Sequence, residues 1–390
     1  MAQVNISFLD VGQGDGTVIT CPNGELVLID LGSKKNAQIA GANAVFTLTA
    51  IIVASMMFRG LETPTLDHLL LTHGDGDHTN LLSEFLTYIR VFLGKPLDIR
   101  EVAIGGIYAD YDNDVITDVL DPAFDAGRLV SFDDDAYDEV EADGTVTPHW
   151  TLGGGAKMYL LSANYPTDEA EPNSKSLVVM VEYGGRKVIL TGDAEFATEA
   201  SIIGHYATKP GFLRSFGLKL GHHGSAYATS VPWIQAVGQQ ASFASSDMRW
   251  AHPYCETITR VQQTIGSGRA LYQHQWLCGE GPAGNQNYTN HTNLAGFYTT
   301  MASISEFVEW DRDTRQWIAP GMVRGVQYQL SIYDNGSMQL IDTLGHNSGV
   351  FVPGLAAGEP PPAAPPPDGT FVPPLGQAIP TPPVPTSPGG

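Results

Sequence analysis

Two histidines and two aspartates fall within six residues at His73-Gly74-Asp75-Gly76-Asp77-His78, directly after the apolar run Leu69-Leu70-Leu71. The run predicts a buried strand and Thr79 onward predicts a helix start. The cluster therefore sits on the turn leaving a strand, where its side chains can converge on one point. Imidazole nitrogens and carboxylate oxygens are donors for Zn²⁺, Mn²⁺ or Fe, and an ion needs about four of them. Gly-Asp-Gly-Asp alone reads as a solvated turn; a histidine at each end makes it a candidate metal site. Two more strand ends carry ligand-type residues: Asp193 in "LTGD" and His222-His223 in "LGHHGS", after the runs Val188–Leu190 and Leu218–Leu220. Each alone has an ordinary structural reading. Together they point to strands laid side by side, with their ends along one edge of a sheet.

The surrounding elements fit that arrangement. Residues 3–31 alternate strand and turn signals, and Asn23-Gly24 marks a hairpin. Residues 39–58 form an apolar helix long enough to span a bilayer. Asn43, Thr47, Thr49 and Ser55 dilute it and strands flank it, so a buried or partner-facing helix is expected rather than a membrane span. Residues 83–98 read as a helix and "EVAIGGIY" as a strand. Gly184-Gly185 marks a second hairpin and Asn335-Gly336 a third. Residues 110–143 hold thirteen acidic residues and one basic, Arg128, and read as a solvated acidic insertion. From residue 351 to 390 proline and glycine dominate, predicting a disordered, partly polyproline-II tail after one α/β domain over 1–350.

The 390 residues carry 42 acidic and 20 basic side chains, a net charge of −22. Such a balance opposes tight non-specific binding to nucleic acid or anionic membranes, which needs clustered Lys and Arg. It leaves room for cutting a nucleic acid at a local metal site. Cys21, Cys255 and Cys278 make no disulfide framework, and the N-terminus shows no leader, so a cytoplasmic location is the default expectation.

The motifs "FLDVGQGD", "LVLIDLG", "LLLTHGDGDH", "NSKSLVVMVEYGGRKVILTGD", "LKLGHHGS" and His252-Pro253 occur in this order over roughly residues 6–255. In combination they resemble metallo-β-lactamase-fold hydrolases, and within these the metallohydrolase domain of ComEC-type DNA-uptake proteins. The resemblance implies a four-layer αβ/βα sandwich with one or two divalent ions, Zn²⁺ or Mn²⁺, at one edge of two packed sheets. The superfamily's HxHxDH motif stands here as HxDxDH. His73 and Asp75 would bind one ion and Asp77 and His78 the other, with Asp193 bridging. One of His222 and His223 would be a further ligand and its neighbour would touch substrate. The usual third-motif histidine has no counterpart; "PNSKSLV" offers Asn173 and Ser176 instead. The oxygen-rich set shifts preference towards Mn²⁺.

The chemistry expected of such a site is hydrolysis by a metal-bound hydroxide, since a divalent ion lowers the pKa of its water from ~15.7 to about 7. Asp77, His223 and His252 are the candidate catalytic residues. Asp77 would orient the water or take its proton, and His252 would contact a phosphate or carboxylate or be structural. Asp10, Gln13 and Asp15 would line the same edge or simply hold loops together. The expected reaction is phosphodiester hydrolysis, with DNA or RNA the first substrate class, and Lys219 and Arg249 as nearby cations. Two alternatives remain: a hydrolase of a small phosphodiester or ester, and an effector gated by a protein partner at the 39–58 helix or the proline-rich tail.

Overall fold

Along the strand Leu26–Leu31 side chains part to two sides: Val27 and Ile29 enter a core shared by two sheets, while Leu26, Leu28 and Leu31 face a layer of helices. The computed structural model describes residues 1–33, 38–166, 172–247, 252–265, 275–280, 287–292, 296–303, 310–311, 316–317 and 323–353.

The first half runs β1 (Gln3–Phe8), β2 (Gly16–Thr20), β3 (Leu26–Leu31), α1 (Gln38–Arg59), β4 (Thr65–Leu71), the turn α2 (Gly76–Thr79), α3 (Leu82–Leu93) and β5 (Asp98–Ile104). Short helices α4 (Asn113–Val115) and α5 (Asp121–Asp125) then lead to β6 (Leu129–Ser131). The second half runs β7 (Trp150–Thr151), β8 (Lys157–Ser162), β9 (Val178–Tyr183), β10 (Arg186–Leu190), α6 (Phe196–His205), β11 (Gly217–Lys219), α7 (Val231–Val237), β12 (Ala241–Ala244) and α8 (Cys255–Ile265). Shorter strands follow: β13 (Gln275–Glu280), β14 (Asn287–Thr292), β15 (Phe297–Thr299), β16 (Met301–Ser303), β17 (Trp310–Asp311), β18 (Gln316–Trp317) and β19 (Val323–Gly325). The closing hairpin is β20 (Tyr328–Tyr333) and β21 (Met338–Asp342).

Two large sheets result, in the orders β21-β20-β1-β2-β3-β4-β5-β6 and β15-β12-β11-β10-β9-β8-β7. Period-two alternation sorts their residues. Val4, Ile6 and Phe8 of β1 meet Val179, Val181, Val188, Leu190 and Phe243 between the sheets. Val178, Met180 and Ile189 face α6, α7 and α8 on the far side. This is the expected four-layer αβ/βα sandwich. β3, β4, β5 and β6 pair in parallel, as do β10, β11, β12 and β15, so the loops leaving β4, β10, β11 and β12 open at strand ends that share an edge.

The expected apolar helix is present as α1, with one face buried against the domain. Val45, Leu48, Ile51 and Ile52 pack with β3, β4 and α3, each contributing roughly 1.5–3 kcal/mol of burial. Its last turn leaves Met57 and Phe58 exposed. Among the described residues no helix is long and apolar enough to cross a membrane.

Four expectations need correction. The helix expected over 83–98 stops at Leu93, because Gly94 takes the left-handed conformation (φ 67°) and Asp98 already begins β5. The 110–143 segment is solvated on one side only. Tyr111, Val115, Val119 and Ala123 are buried against α3 and β5, and its β6 extends the first sheet. Cys255 and Cys278 are joined as a disulfide and Cys21 is buried and free, which removes the cysteine argument for a reducing compartment. Finally, Phe351 is buried and exchanges backbone hydrogen bonds with Met338, so the domain reaches past residue 350. The rest of the proline-rich tail lies outside the described residues.

Candidate metal centre

Each histidine at the sheet edge is held from behind by a group that fixes its outer nitrogen. Asp30, at the end of β3 and 1% exposed, accepts hydrogen bonds from the Thr72 backbone N–H and hydroxyl, both at 2.7 Å. Its Oδ2 also lies 2.8 Å from His78 Nδ1. A carboxylate only accepts, so His78 carries a proton on Nδ1 and turns Nε2 inward. His223 repeats the device: its Nδ1 donates to the Ser245 carbonyl at 2.8 Å, again leaving Nε2 inward. His73 is fully buried, with Nδ1 3.1 Å from the Thr72 hydroxyl. His222 and His223 both adopt left-handed backbone conformations, with φ 46° and 55°. That kink sends His223 inward and leaves His222 a quarter exposed, with Nδ1 2.8 Å from Glu195 Oε1.

The "DVGQGD" loop packs beneath the same cluster. A Cβ on Gly14 would lie 2.2 Å from the Gly32 carbonyl oxygen and 2.5 Å from that of Asp77. Glycine therefore permits the approach in which the Asp15 N–H donates to the Asp77 carbonyl at 3.0 Å.

The inward atoms fit a cation. His73 Nε2, His78 Nε2, His223 Nε2 and Asp193 Oδ1 are buried and make no aligned hydrogen bond among the described residues. An unsatisfied buried polar atom costs about 1–3 kcal/mol, so four in one place ask for a partner. His78 Nε2 lies 3.2 Å from Asp193 Oδ1, and His223 Nε2 lies 3.4 Å from Asp193 Oδ2 and 3.6 Å from Asp77 Oδ2. Ligands at 2.0–2.2 Å around a tetrahedral ion are about 3.4 Å apart, which is the spacing found. Close but misaligned, these atoms surround a common point rather than share a proton. Ligand atoms of Asp15, His78, Asp193 and His223 all lie within 4.8 Å of one another.

Charges within the cluster reinforce one another. Burial alone would raise the Asp193 pKa, but His223, His78 and His222 hold it well below the carboxylate range. Burial would lower that of His78, yet Asp193 and Asp30 raise it well above the usual histidine value. Asp77 stays ionised against its burial because His223 and His78 face it. His252 goes the other way: burial, then repulsion by His223 and His222, pushes its pKa well below 6.5.

The sequence-based candidates divide accordingly. His73, Asp77, His78, Asp193 and His223 come together at the buried centre. Asp75 stands beside it, 3.6 Å from His73 Nε2 and with its side chain 43% exposed. His222 borders the mouth, 3.7 Å from Asp193 Oδ2. Asn173 Nδ2 approaches His222 Nδ1 at 3.4 Å, and the Ser176 hydroxyl accepts the Asp193 N–H at 3.1 Å. His252 packs beside His222 and His223, with ring centroids 5.3 and 5.9 Å away. Asp10 lies against Gly325, and burial pushes its pKa up to about 7 with Asp247 adding to the shift.

Two residues change role. Lys219 is 3% exposed and its Nζ sits 2.5 Å from Asp15 Oδ2, so it is a buried ion-pair partner and not a cation offered to substrate. Arg249 lies outside the described residues. Asp30 also belongs to the site; its signal in the sequence is an acid near the end of "LVLIDL", where a strand buried on both faces has no place for an unpaired charge.

Residues 9–163 match the metallo-beta-lactamase superfamily. The fold is the metallo-β-lactamase fold. More particularly, the chain is similar to "ComE operon protein 3" of Bacillus subtilis (strain 168), 28% identical over 292 residues, covering 69% of this chain and 33% of that protein. It is also similar to "Competence protein ComA" of Neisseria gonorrhoeae, 27% identical over 260 residues, covering 67% of this chain and 29% of that one. The matched stretch thus spans about a third of each relative's length. Among solved structures, the metallo-beta-lactamase fold protein YhfI from Bacillus subtilis aligns with a TM-score of 0.39 at 12% identity, over 68% of this chain and 94% of that one.

Proposed function

We propose that this chain is a metal-dependent hydrolase of phosphodiesters, with DNA or RNA the first substrate class to test. The observation that carries the reading is the set of buried, unpartnered donors, His73 Nε2, His78 Nε2, His223 Nε2 and Asp193 Oδ1, spaced as ligands around an ion. His78, His223, Asp77 and Asp193 would hold one Zn²⁺ or Mn²⁺, and His73 with Asp75 a second. When bound, such an ion supplies Lewis acidity and lowers the pKa of coordinated water. The chain's own residues do the rest. Asp77, ionised and facing the cluster, would orient the attacking water as well as help hold the ion. His222, at the mouth, touches the substrate. Nucleic acid is favoured by the resemblance to DNA-uptake proteins and by a relative named for competence.

A small phosphodiester is the second reading, and two observations favour it. Lys219 is consumed by Asp15, and the chain carries −22 overall. A short dianion meets less repulsion from such a surface than a polynucleotide does.

The test is a substrate panel at fixed ionic strength: bis-p-nitrophenyl phosphate, a cyclic dinucleotide, and single-stranded DNA and RNA, with Mn²⁺ or Zn²⁺ and with chelator. Hydrolysis of at least one diester, abolished by chelator, is expected. Fully metallated protein that cleaves none of them would refute the proposal and favour the partner-gated effector.

A further inference from the structure

Gln13 is fully buried in the loop between β1 and β2, and its amide joins two groups far apart in sequence. Its Oε1 accepts the backbone N–H of Asp247 at 3.3 Å, and its Nε2 lies 3.3 Å from His252 Nδ1. The Asp247 N–H can only donate, which fixes the amide with its oxygen towards Asp247. The flipped amide would set two donors against each other there. The NH₂ end therefore faces His252, and since it too only donates, His252 Nδ1 must accept.

We propose that Gln13 locks His252 in the neutral tautomer with its proton on Nε2, making it a hydrogen-bond donor to an anionic substrate oxygen. The donor step rests on the hydrolase reading above; the lock does not. His78 and His223 show the opposite arrangement, because Asp30 and the Ser245 carbonyl accept from their Nδ1 and leave Nε2 free to ligate. A ring with Nε2–H can neither bind a cation through that atom nor take up a proton there. Among the described residues Gln13 is the ring's hydrogen-bond partner, so Nε2–H is left for a ligand. The ring packs beside His222 and His223, within reach of whatever the metal centre holds. The glutamine of "DVGQGD" is thus a positioning residue acting through His252.

Nitrogen-15 NMR of histidine-labelled protein, with His252→Gln identifying the resonance, reads the tautomer directly. Wild-type His252 is expected to carry its proton on Nε2. In Gln13→Glu the carboxylate accepts, so the proton should move to Nδ1; kcat on the best diester should fall ~10-fold or more while metal content stays unchanged. A wild-type ring protonated on Nδ1 overturns the lock. A tautomer that moves in Gln13→Glu with kcat unchanged overturns the donor role. If the wild type hydrolyses no diester yet shows Nε2–H, the lock stands and the donor role falls with the hydrolase reading.

Discussion

His78 is held between two carboxylates, with Nδ1 2.8 Å from Asp30 Oδ2 and Nε2 3.2 Å from Asp193 Oδ1. Asp30 touches no substrate and ligates nothing in the proposed centre, yet it sets the orientation and tautomer of a proposed ligand. Asp30→Asn should therefore lower metal affinity about 10–100-fold while every ligand remains. Competition against a chromophoric chelator measures this. An unchanged affinity would show that His78 is oriented without Asp30.

The Lys219–Asp15 pair is buried on both sides, so removing one partner strands the other charge. Lys219→Met should cost about 3–5 kcal/mol in urea unfolding, and Asp15→Asn added to it should recover much of that loss. A single variant as stable as wild type would mean the pair is solvated, and Lys219 would again be a candidate for substrate contact.

His68 lies between Glu25 and Glu101, 3.3 and 3.0 Å away. Burial would lower its pKa, but the hydrogen bonds its ring donates to the two carboxylates raise it to about 9. A histidine raised on folding stabilises fully below its unfolded value of 6.5, and that contribution is lost as pH rises through about 9. The melting temperature should fall between these limits, by an amount equivalent to at most roughly 3 kcal/mol. His68→Gln should flatten that part of the curve. Parallel curves for the two proteins would contradict the assignment.

The Cys255–Cys278 disulfide joins α8 to β13 across 23 residues. Closing such a loop is worth about 3 kcal/mol, so reductant should lower the melting temperature by several degrees. Alkylation of both thiols in native protein without reductant would show that the bond does not form.

The site was legible where its chemistry is local. His73, Asp75, Asp77 and His78 occupy one turn, and Asp193 and His222-His223 follow recognisable apolar runs. What supports them is not local. Asp30 is 48 residues from His78, and Gln13 is 239 from His252; no spacing rule links residues that only the packing of strands and sheets brings together. Lys219 illustrates the same limit, since a charge in sequence does not say whether water or Asp15 will hold it. The buried face of the 110–143 segment is hidden for another reason. Tyr111, Val115, Val119 and Ala123 recur every fourth residue, the stripe of a buried helical face, but thirteen acidic residues mask that period in the composition.

The central claim is that the inward Nε2 atoms of His78 and His223, with Asp193, surround an ion. Anomalous diffraction from crystals grown with Mn²⁺ or Zn²⁺ tests it most directly. The account predicts a peak about 2.0–2.3 Å from both Nε2 atoms and from an Asp193 oxygen, with the His78 and His223 rings still held by Asp30 and Ser245. Ordered side chains in this arrangement with the metal bound elsewhere on the protein would contradict it.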